Sequence, residues 1–140
     1  MCETSWQHFP HGADMGVRGI GKSKAAAFEQ AAIAVTALVT DPQSVDAETL
    51  VKIECHAPDD ELLLVEWLNG IIFEMATRKM LFARFAVAID GNRLSGMAWG
   101  EAIDLTRHDV AVEPKGATCT SLEVCQDEPG CWRAQCIIDV

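Results

Sequence analysis

Two segments of this chain are apolar around almost their whole circumference, and they constrain everything else it can fold into. Lys24 to Val39 is rich in Ala and carries Phe28, Ile33, Val35, Leu38 and Val39, with only Lys24, Glu29, Gln30 and Thr36 as polar residues. Ser23 stands where an N-cap belongs, and Asp41-Pro42 ends the run, because a residue before proline is pushed out of the α region. The second segment starts at Pro58-Asp59-Asp60-Glu61, with acids suited to the positive end of a helix. It continues to about Lys79 through Leu62, Leu63, Leu64, Val65, Trp67, Leu68, Ile71, Ile72, Phe73 and Met75, and Arg78 and Lys79 suit its C-terminal end. A helix lying on one sheet needs only an apolar stripe. Two helices apolar on nearly all sides form a layer that needs cover above and below.

The remaining chain supplies strands for that cover. Leu50 to Cys55 alternates, with Val51, Ile53 and Cys55 on one side and Leu50, Lys52 and Glu54 on the other, which is the pattern of a half-buried strand. Phe82 to Ile89 and Arg93 to Trp99 flank Asp90-Gly91-Asn92, a hairpin signal. Val17 to Ile20 is a short strand after a weakly alternating start. Ala111 to Val124 is strand-like, interrupted at Pro114 and Gly116. Cys131 to Val140 alternates again after a turn at Asp127-Glu128-Pro129-Gly130. The expectation is one α+β domain spanning residues 1–140, with two mostly antiparallel sheets sandwiching the two helices.

Charge and cysteine narrow the function. The net charge of −10 repels phosphates and anionic lipid, so direct binding to RNA, DNA or a membrane surface is not expected. It suits a cation or a basic protein partner. No apolar stretch reaches the length of a membrane span, and because Met1 to Pro10 is polar and mixed, no signal peptide is expected there. The chain is therefore expected in the cytoplasm, with its six cysteines reduced and serving mostly as small apolar fillers. No C-x-x-C pair, phosphate-binding loop, H-E-x-x-H or G-x-S-x-G is present.

Three spots can carry chemistry. His11-Gly12-Ala13-Asp14 holds an acid in a tight turn, either as a simple turn cap or as a ligand for a hard cation. Asp139 is the one acid in the run Ile137-Ile138-Asp139-Val140; it is either a solvated end or, with the α-carboxylate of Val140 next to it, half of a carboxylate pair that needs a cation or a donor between its members. Glu113-Pro114-Lys115 fixes an anion and a cation beside a proline, as a site or as a surface pair. Arg107-His108 follows Asp104 in a polar loop.

Taken in order, these stretches resemble the archease family. They are Phe9-Pro10-His11-Gly12-Ala13-Asp14-Met15-Gly16-Val17-Arg18-Gly19, Leu64-Val65-Glu66-Trp67-Leu68-Asn69, Gly100-Glu101 with Asp104, Arg107 and His108, then Glu113 and Lys115, Leu122-Glu123-Val124 and Ile137-Ile138-Asp139-Val140. The resemblance implies an accessory protein for an RtcB-type RNA ligase, one that promotes guanylylation and multiple turnover of the ligase in tRNA splicing and RNA repair. RNA is then met only through the ligase. It implies a metal site at Asp14, Asp139 and Val140 holding a divalent cation, Ca²⁺ foremost, with Mg²⁺ and Mn²⁺ as alternatives. It also implies His11, His108, Glu113 and Lys115 as partner or activation residues. Two departures stand out: Pro114 replaces the family's valine, and residues 116–121 lack the family's aromatic and histidine. The alternatives are a metal-dependent hydrolase using Asp14, Asp139 and His11, and a general chaperone or scaffold.

Overall fold

The computed structural model describes Cys2 to Val140. Its elements run β1 (Ser5–His11), β2 (Asp14–Gly21), α1 (Lys24–Val39), a short 3₁₀ turn (Pro42–Ser44), β3 (Thr49–His56), α2 (Asp60–Arg78), β4 (Met80–Asp90), β5 (Arg93–Ala102), β6 (Gly116–Ala117), β7 (Glu123–Glu128) and β8 (Cys131–Asp139). All strand pairs are antiparallel. One sheet has the order β1-β2-β8-β6, with β7 also paired to β8; the other has the order β3-β5-β4. The helices lie between these sheets, as their apolar circumference requires.

Both helices begin where the side chains say they should. The Ser23 hydroxyl accepts from the Ala26 amide and the Asp59 carboxylate from the Leu62 amide, each satisfying a donor that the first turn leaves open. Helix α2 stops at Lys79, which adopts the left-handed conformation of a C-cap (φ 53°). Phe28, Ala31, Val35, Leu63, Leu64, Trp67, Leu68 and Ile71 are fully buried between the sheets. The Trp67 indole N–H donates to the Phe28 carbonyl at 3.1 Å, so the one polar atom of that ring joins the two helices. Gly96 of β5 lies under the same ring, where a β-carbon would collide with it.

Helix α1 also covers an exposed strand edge. The Thr36 hydroxyl donates to the Phe82 carbonyl at 2.7 Å, and the Glu29 carboxylate accepts from the Val87 amide at 2.8 Å. These bonds satisfy main-chain groups of β4 that no strand pairs, which leaves that edge closed to addition.

Several expectations need correction. The first strand after the start is longer than Val17–Ile20, and β1 precedes it; its exposed polar residues hid it from an apolar pattern. The region 111–124 is not one strand. Only Gly116–Ala117 and, later, β7 pair with β8 as strands, while Pro114 lacks an N–H, Thr118 still bonds the Ile137 carbonyl, and residues 119–122 turn outside the ladder. The cysteines are not all reduced: Cys2 and Cys131 form a disulfide, their Cα atoms 5.3 Å apart. The cause is topological. Antiparallel pairing of β1 with β2 and of β2 with β8 carries the start of β1 and the start of β8 to the same end of the sheet, beside Gly21. Cys55, Cys119, Cys125 and Cys136 are free thiols. Among the described residues no helix is long and apolar enough to cross a membrane.

Candidate functional site

The hairpin between β1 and β2 turns through Gly12 and Ala13. Gly12, at the first central position, has φ 61°, which glycine adopts without steric cost and which suits a two-residue turn of the II′ kind. That tight turn sets His11 directly opposite Asp14. On the other side of β2 the register opposes Met15 to Ile138, and one further step brings Asp14 opposite Asp139. Gly116 of β6 opposes Asp139 in turn, and the Lys115 amide donates to the Asp139 carbonyl at 2.8 Å. His11, Asp14, Asp139 and Gly116 therefore form one row across four strands at one end of the sheet.

The face of the row follows from alternation. Met15, Val17, Ala134, Cys136 and Ile138 pack into the core, so Asp14 and Asp139 point to the opposite, outer face. Asp139 is exposed and Asp14 half-buried. Directly opposed residues of an antiparallel pair hold their β-carbons about 4.5–5.5 Å apart, and like charges there repel. Among the described residues neither carboxylate receives a hydrogen bond or an ion pair, and no hydroxyl or thiol hydrogen-bonds a histidine as a nucleophile would. Nor do three or more His, Cys, Asp or Glu side chains cluster at metal-binding spacing. Two opposed carboxylates with no cationic partner form an all-oxygen donor set, which fits a hard cation.

The other expected residues line other features, although Lys115 touches the row through its amide. Glu113 and Lys115 line a shallow depression with Asn69, Ile72, Phe73 and Ala76 on the flank of α2. It continues into an apolar trough of about 300 Å³ between the ends of both helices and residues 103–114. The Asn69 side-chain oxygen accepts from the Ala117 amide at 2.8 Å, which ties α2 to β6 and thereby to Asp139. His108 does not join either group. It is 1% exposed, and both ring nitrogens are engaged. Its Nδ1 accepts from the Asp104 amide at 3.0 Å, so the proton sits on Nε2, which donates to Glu101 at 3.1 Å.

Glu101 is the centre of that network. It accepts from Arg107, from the Asp46 amide and from His108. The Arg107 guanidinium foremost, then the Asp46 amide and His108, hold its carboxyl down at about 2, against the opposing pull of desolvation. Arg107 also pairs with Asp104 at 3.4 Å, and hydrogen bonds from Thr106 depress the Asp104 carboxyl further than that pairing does. This cluster closes the loop that leads to Glu113. Sequence spacing placed Asp104, Arg107 and His108 in a polar loop; nothing in the linear pattern marked Glu101, at the end of β5, as their common acceptor.

Comparison with known proteins agrees with this architecture. The pattern of the archease protein family matches residues 6–140. A Pyrococcus abyssi archease is 30% identical over 139 residues, covering 96% of this chain and 98% of that protein. One from Sulfurisphaera tokodaii is 32% identical over 121 residues, covering 85% and 87%. The solution structure of a Methanobacterium thermoautotrophicum protein superposes with a TM-score of 0.84 at 33% identity, covering 97% of this chain and 99% of that one. A Thermotoga maritima archease, a possible chaperone, superposes with a TM-score of 0.57 at 14% identity, a likeness of fold alone.

Proposed function

Because this chain belongs to the archease family, we propose that it is a non-enzymatic accessory protein of an RtcB-type RNA ligase, promoting ligase guanylylation and multiple turnover in tRNA splicing and RNA repair. The observation that supports this reading is the β2–β8 register, paired as far as Met15 and Ile138, which makes Asp14 and Asp139 the next residues along the two strands on the outward face. A divalent cation, Ca²⁺ foremost and Mg²⁺ or Mn²⁺ in its place, would be held by Asp14, Asp139 and the end of Val140. When bound it supplies a fixed positive charge at an otherwise acidic end of the molecule.

The remaining work falls to this chain's own side chains. The His11 turn fixes Asp14, the Lys115 amide fixes the main chain at Asp139, and Glu113 and Lys115 offer one charge of each sign beside the α2 flank. His108 acts at one remove, by holding the loop before Glu113. The net charge of −10 favours encounter with a basic, RNA-binding enzyme and disfavours free RNA. In this reading the protein works in the cytoplasm and meets RNA only through the ligase.

The test is ligation by the purified cognate ligase with and without this protein. Guanylylation and turnover should rise with wild type. Asp14→Ala and Asp139→Ala should each lower the stimulation at least ~10-fold while melting within a few degrees of wild type. Unchanged ligase turnover on adding the wild-type protein would sink the proposal.

A further inference from the structure

One step in from the Asp14 row, the outer face of the sheet carries a cross-strand staple. Phe9, Gly16 and Ile137 form the neighbouring row, and Gln7, Arg18 and Gln135 the row beyond it. The Phe9 ring lies over Gly16, where a β-carbon would overlap it. The Arg18 guanidinium sits 4.5 Å from the centre of that ring. Its Nη1 donates to the Gln7 side-chain oxygen at 2.9 Å and its Nε to the Gln135 side-chain oxygen at 2.9 Å. Gln135 in turn donates to the Ser121 carbonyl at 3.2 Å.

One side chain thus holds β1, β2 and β8 together and presses the Phe9 ring onto the strand that carries Asp14. This matters because β1 is an edge strand, bonded along one side only, and the tip of its hairpin lies beyond Met15, the last residue of β2 that pairs with β8. Without a clamp, an edge hairpin opens more readily than the sheet behind it. We propose that Arg18 is the positioning residue of the site: through Phe9, Gln7 and Gln135 it holds the His11–Asp14 hairpin in register and so sets the spacing of Asp14 from Asp139. The inference rests on the reading of Asp14 and Asp139 as the functional pair. The role needs a planar fork with several N–H groups, which arginine has and lysine lacks.

The experiment uses the full chain in two arms. In the first, amide hydrogen exchange is compared between wild type, Arg18→Ala and Arg18→Lys. Both variants should exchange about 10-fold faster at residues 11–15, with α2 and β5 at wild-type rates. In the second, Ca²⁺ alone is titrated calorimetrically. Both variants should bind about 10-fold more weakly, the size of effect seen when a residue orienting a metal ligand is lost, although Asp14 and Asp139 are intact. Unchanged exchange at residues 11–15, or faster exchange spread evenly over the protein, would overturn the role of Arg18. Wild type that takes up no Ca²⁺, or Asp14→Ala that takes it up as well as wild type, would instead overturn the cation reading; the exchange arm would still decide Arg18.

Discussion

Glu101 shows how a residue noted in a sequence only as part of a motif can prove central in a fold. It is 7% exposed yet ionised, because Arg107, the Asp46 amide and the Nε2–H of His108 all point at its carboxylate. Its folded pKa, about 2, lies below the ordinary value of 4.5. A depressed carboxyl stabilises the fold fully above about pH 4.5, and that contribution disappears as pH falls toward 2. Glu101→Gln should therefore lose stability near neutrality and show a flatter stability curve between pH 4.5 and 2, measured by urea unfolding at a series of pH values. The thiols can be sorted at the same scale. Burial pushes Cys136 up to about 12, and burial with the nearby Glu66 pushes Cys55 to about 11. Burial and hydrogen bonds to acids do the same for Cys125. Iodoacetamide at pH 8 should therefore label exposed Cys119 first in the native protein, with Cys136 last, as read by peptide mass spectrometry. The expectation that most cysteines are small apolar fillers holds at Cys136, which is buried in the core.

At the scale of elements, what was legible followed the strength of the local signal. Helix α1 begins and ends where Ser23 and Asp41-Pro42 place it, because caps and prolines act over a few residues. The β4–β5 hairpin turns through Gly91 (φ 60°), as its Asp-Gly dipeptide indicates. Strands β1 and β7 were not legible. Both lie at the sheet's margins with polar outer residues, and only pairing with β2 and β8 makes them strands. Asp14 and Asp139 stand out through their motifs, yet their placement at one end of one sheet is a matter of register that no local pattern contains. Close approach between elements is equally hidden. Gly19 of β2 lies against α1 so tightly that a β-carbon would overlap the Ala27 carbonyl and the Ala31 amide. These are backbone atoms of a helix and cannot swing aside. Gly19→Ala should cost about 1–3 kcal/mol, seen as a lower urea midpoint with an unchanged slope. Gly91→Ala should cost less, since its cause is a positive φ with open space around it.

For the whole molecule, the sandwich puts its two candidate features at opposite ends of one sheet: the Asp14–Asp139 row at one end and the Cys2–Cys131 disulfide at the other. The disulfide joins residues 129 positions apart, and so restricts the unfolded chain far more than a short loop would. Reduction, or Cys2→Ser with Cys131→Ser, should lower stability by about 2–4 kcal/mol, measured as the difference in melting between oxidised and reduced protein. The ligase stimulation proposed above should persist in the reduced form, since the acidic row lies at the far end of the sheet. The same bond makes most of the chain a covalent ring. A single protease cut between residues 2 and 131 would leave one piece on a non-reducing gel and two after reductant. Asp14 belongs to that ring, whereas Asp139 sits on the short tail that leaves it. The tail is not loose: as β8 it runs back through the middle of the sheet, paired to the ring's own β2 from Trp132 to Ile138, and its tip ends beside the strand that carries Asp14.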